Sequence, residues 1–147
     1  MHIPAETISY VYSELEKEIV QAINEGYCNF ISGFVPGVDM IFAQIVVDLQ
    51  TVYPHITLEA ALPYPMWMGN RSQDDKALFA KCKKIGVHSP RYHANCFLIR
   101  NSFMMSTCER VIAVYDGRGE GGTVSTMRYA AMLARELRII ELQLTSE

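Results

Sequence analysis

The chain has 147 residues, half of them apolar and a fifth charged, with a formal net charge of −3. This length suits one domain over residues 1–147, and the charge gives no strong signal for a nucleic-acid partner. The basic cluster Lys81, Lys83 and Lys84 is more typical of a solvated helix face. No apolar run approaches the ~18 residues of a membrane span, and no signal-peptide pattern is present. We therefore expect a cytoplasmic protein with no membrane partner.

The four cysteines are irregularly spaced and form no Cys-x-x-Cys pair, which predicts reduced core thiols rather than disulfides. His88, His93 and Cys96 are close in sequence but lack a second pair of ligands with zinc-site spacing, so we predict no metal. The cysteines are Cys28, Cys82, Cys96 and Cys108.

Apolar residues recur at helical spacing from residue 4 to residue 25, where Gly26 ends the segment. A short buried strand follows over 28–32, then a broad apolar helix over 37–53 that Pro54 stops. The pattern continues with a strand over 56–62 and a helix over 73–85. The remaining predicted elements are at most a stub of strand at 87–88, a helix over 95–108 that Asn95 can cap, a strand over 110–115, a helix over 121–137 and a strand over 138–142.

Strands that alternate with helices of this length are typical of βαβ crossovers. The pattern therefore predicts a Rossmann-like three-layer α/β sandwich with a mostly parallel sheet of about five strands.

Two glycine-bearing turns lie where an apolar strand gives way to a helix. The first carries Gly33 and Gly37, and the second carries Gly121 and Gly122. Backbone N–H groups at such a turn face outward at the positive end of a helix dipole, which suits a phosphate. The same glycines can also be ordinary turn or close-packing residues.

Several motifs in one order resemble the YpsA-like branch of the SLOG superfamily, whose Rossmann-like members include the Lonely Guy phosphoribohydrolases and DprA. They are Phe30-Ile31-Ser32-Gly33 with Gly37-Val38-Asp39, Thr57-Leu58-Glu59-Ala60-Ala61, Arg100-Asn101 with Met104-Met105, and Ala113-Val114-Tyr115-Asp116-Gly117 with Gly121-Gly122-Thr123. Members of this branch usually begin with a strand that ends in a Gly-His-Arg-Pro-like turn, and this chain starts at the helix after it. The phosphoribohydrolases also carry a catalytic glutamate where this chain has Thr126, which has no ionisable group.

The candidate ligand-binding residues lie at these turns and on the helix over 95–108. Asp39 sits in the first turn of a helix, where it gains from the dipole or bonds a ribose hydroxyl. By resemblance, Arg100 matches an arginine near the phosphoribohydrolase substrate and Asn101 replaces that family's lysine. Trp67 could stack on a base, but packing under a loop is its commoner role. The predicted set is Ser32, Gly33, Gly37, Asp39, Arg100, Asn101, Asp116, Gly121, Gly122 and Thr123.

Three functions remain open. The first is a sensor or regulatory module that binds a nucleotide, ADP-ribose or an NAD-like ligand at the carboxyl ends of the strands. The second is a nucleoside monophosphate phosphoribohydrolase, for which Glu109, Asp116 or Glu120 would have to replace the missing glutamate. The third is a structural or assembly protein without a ligand. The resemblance also implies a homo-dimer or higher oligomer.

Overall fold

The computed structural model describes residues 5–115, 127–128, 131–133 and 135–142. Its first helix, α1, spans Ala5–Asn24, and the chain turns at Gly26, whose φ of 102° lies in the left-handed region. One apolar stripe at helical spacing faces the core, which confirms the predicted amphipathic helix. The buried residues of α1 are Val11, Leu15, Ile19, Ala22 and Ile23.

Strands β1 (Asn29–Ser32) and β2 (Thr57–Leu62) pair in parallel, and helix α2 (Val38–Leu49) connects them. Every residue of β2 after the first is buried, as expected for a strand covered on both faces. Because the pair is parallel, the carboxyl ends of β1 and β2 lie at the same edge. Helix α2 ends four residues before the predicted end at residue 53, in a turn over residues 50–52.

A third strand, β3 (Lys84–Val87), pairs in parallel with β2, and Ala61 lies opposite Gly86. The predicted helix over 73–85 was too long, because α3 spans only Gln73–Phe79. The Lys83 amide donates to the Leu58 carbonyl at 2.9 Å, so the chain is already bound to the edge of β2 there. The lysines that suggested a helix face therefore lead into a strand.

Helix α4 (Cys96–Thr107) follows, although the Asn95 side chain makes no capping hydrogen bond. Strands β4 (Arg110–Tyr115) and β5 (Glu136–Glu141) then pair in parallel. Residues 127–128 and 131–132 are helical, and the predicted last helix ended too late because β5 already begins at residue 136.

The parallel α/β class is confirmed, but the strands are divided differently from the prediction. They form a three-stranded sheet in the order β1-β2-β3 and a separate two-stranded sheet of β4 and β5. Among the residues described above, no backbone hydrogen bond joins β1 to β4. Since each of these strands pairs on one side only, the single sheet of about five strands is replaced by two sheets.

Helix α1 packs both against α2 and against the β4–β5 sheet, so it connects the two sheets. Arg138 of β5 bonds Glu18 of α1 at 2.9 Å. Arg110 of β4 places its guanidinium 4.8 Å from the centre of the Tyr27 ring, just before β1. Side chains from both sheets share one hydrophobic cluster, including Phe30 and Ile140. The two sheets therefore enclose a common core.

Candidate functional site

The loop that follows β1 is held by hydrogen bonds to its own side chains. The Phe34 amide donates to the Ser32 hydroxyl at 3.1 Å, and that hydroxyl donates to the Asp39 carbonyl at 3.2 Å. The Val35 amide donates to Asp39 Oδ2 at 3.2 Å. Two amides of the first glycine-bearing turn are thus already bonded within the protein, so a phosphate would have to use other donors.

Phe34 adopts a φ of 54° although it is a large, fully buried residue. A non-glycine residue in this region costs of order 1–3 kcal/mol, which other contacts must offset. The Phe34 carbonyl accepts from Trp67 Nε1 at 3.0 Å and from Arg71 Nη1 at 2.6 Å. The Phe34 ring also packs edge-on against Phe79, with 5.5 Å between centroids. Side chains that follow β2 in the sequence therefore hold the loop in this conformation.

Arg100 of α4 ties the ends of β1 and β2 together. It is 4% exposed, and its Nη1 donates to the Gly33 carbonyl at 3.0 Å and to the Ala61 carbonyl at 3.3 Å. A Cβ on Gly33 would stand 2.7 Å from Arg100 Nη1 and 3.0 Å from Asp39 Oδ2. The absence of a side chain at Gly33 thus lets a guanidinium and a carboxylate approach the same point of the backbone.

Burial raises the pKa of Asp39, because the charged carboxylate loses water there. The Val35 amide, the Arg100 charge, the Gly33 backbone and the Arg71 charge act in the opposite direction and favour the ionised form. The folded protein consequently holds a proton on Asp39 more tightly than the unfolded chain does.

We expect the Asp39→Asn variant to change the pH dependence of stability. A carboxyl whose pKa is raised on folding loses stabilisation as pH rises from its ordinary pKa to the raised value. The free energy of unfolding of the wild type minus that of Asp39→Asn should therefore fall with rising pH. Urea unfolding of both proteins between about pH 4 and about pH 7 measures this difference. A difference that grows with pH would contradict it.

Four rings next to this loop form an aromatic cluster, composed of Tyr64, Trp67, Tyr92 and Phe97. Tyr64 contacts the other three, with centroid distances of 5.8 Å to Trp67, 5.5 Å to Tyr92 and 6.4 Å to Phe97. The interplanar angles of these pairs lie between 82° and 89°, the edge-to-face geometry that aromatic pairs favour. Three loops or helix starts at the carboxyl edge of β1-β2-β3 contribute these rings.

A second polar group lies beneath α4. Glu59 of β2 is 3% exposed, and its Oε1 accepts from Asn29 at 2.9 Å. Glu59 Oε2 and His88 Nε2 are buried with no hydrogen-bond partner within the described part of the chain. The His88 ring stacks on Phe103 at 4.0 Å, and burial lowers its pKa. The neutral imidazole is therefore favoured at this position.

A separate cleft of about 510 Å³ lies between the start of α1 and the end of β5. It is lined by Glu6, Thr7, Tyr10, Glu141 and Leu142. Two of these described lining residues are glutamates, whose charges repel an anionic ligand.

One protein-family model matches nearly the whole chain. The model of the YpsA family, described as the YspA SLOG family, matches residues 4–144. The chain belongs to the YpsA SLOG family. The resemblance found in the sequence motifs is thereby confirmed.

One curated relative of this YpsA-family chain is a UPF0398 protein of Ligilactobacillus salivarius (strain UCC118). The two are 25% identical over 124 residues, which cover 80% of this chain. The matched region is 66% of the relative, so the chain spans slightly less than two thirds of its length.

The structure brings five predicted site residues of this YpsA-family chain together at the ends of β1 and β2. Asn101 completes the group, since its Oδ1 accepts from Arg100 Nε at 2.8 Å. Gly37 lies at the other end of the same loop with a φ of 102° and open space where a Cβ would stand. The five are Ser32, Gly33, Asp39, Arg100 and Asn101, whereas Asp116, Gly121, Gly122 and Thr123 lie outside the described residues.

Sequence reasoning missed Arg71, and it left Trp67 out of the predicted site. Arg71 bonds both the Phe34 carbonyl and Asp75 Oδ2, the latter at 2.8 Å. Its Nη2 is buried without a hydrogen-bond partner in the described structure. Both residues follow β2, where the sequence shows no periodicity and was interpreted as irregular, although the structure has a 3-10 helix over Pro65–Met68. The one general indication of a site there is that ligands often bind beyond the carboxyl ends of parallel strands.

The cysteines are reduced, but they do not all lie in the core. All four cysteines are free, but Cys28 is exposed, so it is not a core thiol as predicted. Burial raises the pKa of Cys82 to about 12, which keeps that thiol protonated.

In the described part of this YpsA-family protein, no helix combines the length and apolar character needed to cross a bilayer. The oligomeric state stays a prediction.

Proposed function

We propose that this chain binds a nucleotide or nucleotide-derived ligand, such as adenosine monophosphate, ADP-ribose or NAD, as a sensor or regulatory module. The site is the edge formed by the carboxyl ends of β1 and β2 together with the loops that follow them. Membership of the SLOG family supports a nucleotide-related function in general, and the proposal adds the ligand class and the regulatory role.

The observation that carries this proposal is the set of charged groups gathered under the loop after β1. Arg100 and Asp39 approach one point beside Gly33, and the Arg71 charge also acts on Asp39. A guanidinium suits a phosphate oxygen, and a carboxylate suits a ribose hydroxyl. Open α/β sheets commonly bind ligands in crevices at this edge.

The contacts assign different tasks to the two arginines. Arg100 Nε and Nη1 are engaged by Asn101, Gly33 and Ala61, so this residue supplies charge and fixes the loop. Arg71 Nη2 is buried and has no partner among the described residues, which makes it one donor for a phosphate oxygen. A buried donor left without an acceptor costs about 1–3 kcal/mol, and a bound anion would remove that cost.

The other predicted residues complete the proposed site. Asn101 Nδ2 can donate to the ligand, while Ser32 and Gly33 shape the loop beneath it. Gly37 offers open space for close approach to the backbone. The second glycine-bearing turn, which carries Asp116, Gly121, Gly122 and Thr123, is proposed on its sequence to face the same ligand.

A thermal-shift panel tests this function with adenosine monophosphate, ADP-ribose, NAD and ribose 5-phosphate. A ligand at about 100 times its dissociation constant adds roughly 2.7 kcal/mol to the free energy of unfolding. We expect stabilisation by at least one of these ligands and its loss in Arg71→Gln. The control is Lys17→Gln, which removes an exposed cation from α1, outside the loops that form the proposed site, and should keep the ligand response.

Each other outcome of this panel points to a different function. No stabilisation by any of the four ligands would contradict the proposal and favour the structural or assembly role. Release of free base from adenosine monophosphate during the same incubation would establish the phosphoribohydrolase instead.

A further inference from the structure

We propose that the aromatic cluster is the subsite for the base of the ligand, with Tyr92 as the stacking surface. This inference rests on the proposed nucleotide function and narrows the ligand class to one that carries an aromatic base. It assigns a specificity role to a residue that lies outside the predicted site.

The packing of the cluster leaves one ring open. Tyr64, Trp67 and Phe97 are half-buried, and each meets its neighbours edge to face. Tyr92 joins the same cluster at 5.5 Å from Tyr64 and 6.5 Å from Phe97, yet it is 65% exposed. Here the Tyr92 ring remains accessible to a second aromatic system.

The cluster is physically joined to the charged part of the site. Trp67 donates from Nε1 to the Phe34 carbonyl, the same atom that Arg71 bonds. The Arg71 guanidinium lies 6.0 Å from the Trp67 ring centre, and the Arg100 guanidinium lies 5.8 Å from the Phe97 ring centre. Both cations therefore border the rings directly.

This arrangement matches the chemistry of a nucleotide. The buried Nη2 of Arg71 lacks a hydrogen-bond acceptor in the described residues, and it lies beside a set of aromatic rings. An anionic group bound there would supply that acceptor. A nucleotide carries both a phosphate and a planar base, and base–aromatic stacking tolerates any base because each has a π-face. The juxtaposition favours a nucleotide over a plain sugar phosphate.

Trp67 provides the readout, because it is the single tryptophan of the chain and belongs to the cluster. Its fluorescence is titrated with adenosine monophosphate, and thermal shift is measured in parallel with ribose 5-phosphate, which lacks the base. We expect Tyr92→Ala to weaken adenosine monophosphate binding about 10-fold and to leave ribose 5-phosphate binding unchanged. Tyr92→Phe keeps the ring and should keep the wild-type affinity.

Tyr10→Ala is the matched control, since Tyr10 is another exposed tyrosine and lines the acidic cleft at α1. If adenosine monophosphate and ribose 5-phosphate bind the wild type equally well, the base subsite is wrong while the nucleotide-phosphate site stands. A loss of affinity in Tyr10→Ala but not in Tyr92→Ala would also overturn the inference. If neither compound binds, both this inference and the function beneath it fail.

Discussion

Replacing Arg100 with methionine is expected to lower the free energy of unfolding by about 2 to 3 kcal/mol, because buried carbonyls lose a charged donor. The change leaves the Gly33 and Ala61 carbonyls without the Nη1 that bonds both. Methionine approximates the length of the side chain but offers no donor. Urea unfolding measures the loss.

The control for this prediction is Arg91→Met, which removes an exposed arginine from the loop before α4. Surface changes of this kind usually alter stability by less than about 0.5 kcal/mol. If Arg100→Met were as mild as Arg91→Met, Arg100 would not join the ends of β1 and β2 in the way described above.

Gly33→Ala is expected to cost about 1–3 kcal/mol because the new methyl group overpacks a filled site. The methyl would stand 2.7 Å from Arg100 Nη1. A flexible side chain normally moves away, but three hydrogen bonds hold this guanidinium in place. The loss of unfolding free energy caused by the methyl group should therefore depend on Arg100.

A double-mutant cycle tests that dependence. Gly33→Ala should cost less in the Arg100→Met background, with a coupling of about 1 kcal/mol, whereas independent sites add to within about 0.5 kcal/mol. Gly37→Ala is the matched control, because its strain comes from a φ of 102° and no neighbour lies within 4 Å of the added Cβ. Its cost should be the same in both backgrounds. Full additivity at Gly33 would contradict the close approach.

Much of the fold follows from local pattern. The alternation of strands with helices predicted parallel pairing, and the structure confirms it. The start of β3 was missed because Lys81, Lys83 and Lys84 suggest a solvated helix face. Its strand conformation depends on the edge of β2, a partner more than twenty residues away in the chain. The division into two sheets is likewise a matter of pairing that no local pattern encodes.

The candidate site, like the fold, could be predicted only in part from the sequence. Ser32, Gly33 and Asp39 belong to one recognisable turn, and Arg100 was singled out by family resemblance. The sequence did not indicate that Gly33 makes room for a guanidinium, since this contact joins residues 67 positions apart. Arg71 gave no signal, because nothing in an irregular stretch indicates which carbonyl its side chain will reach.

Amide chemical-shift mapping of the labelled protein with adenosine monophosphate tests the central claim most directly. We predict that the perturbed amides belong to the loop over residues 33–39, to residues 64–71, to residues 92–101 and to the second glycine-bearing turn. Perturbation confined to the residues around Tyr10 and Glu141, or none at saturating ligand, would contradict a nucleotide site at the carboxyl ends of β1 and β2.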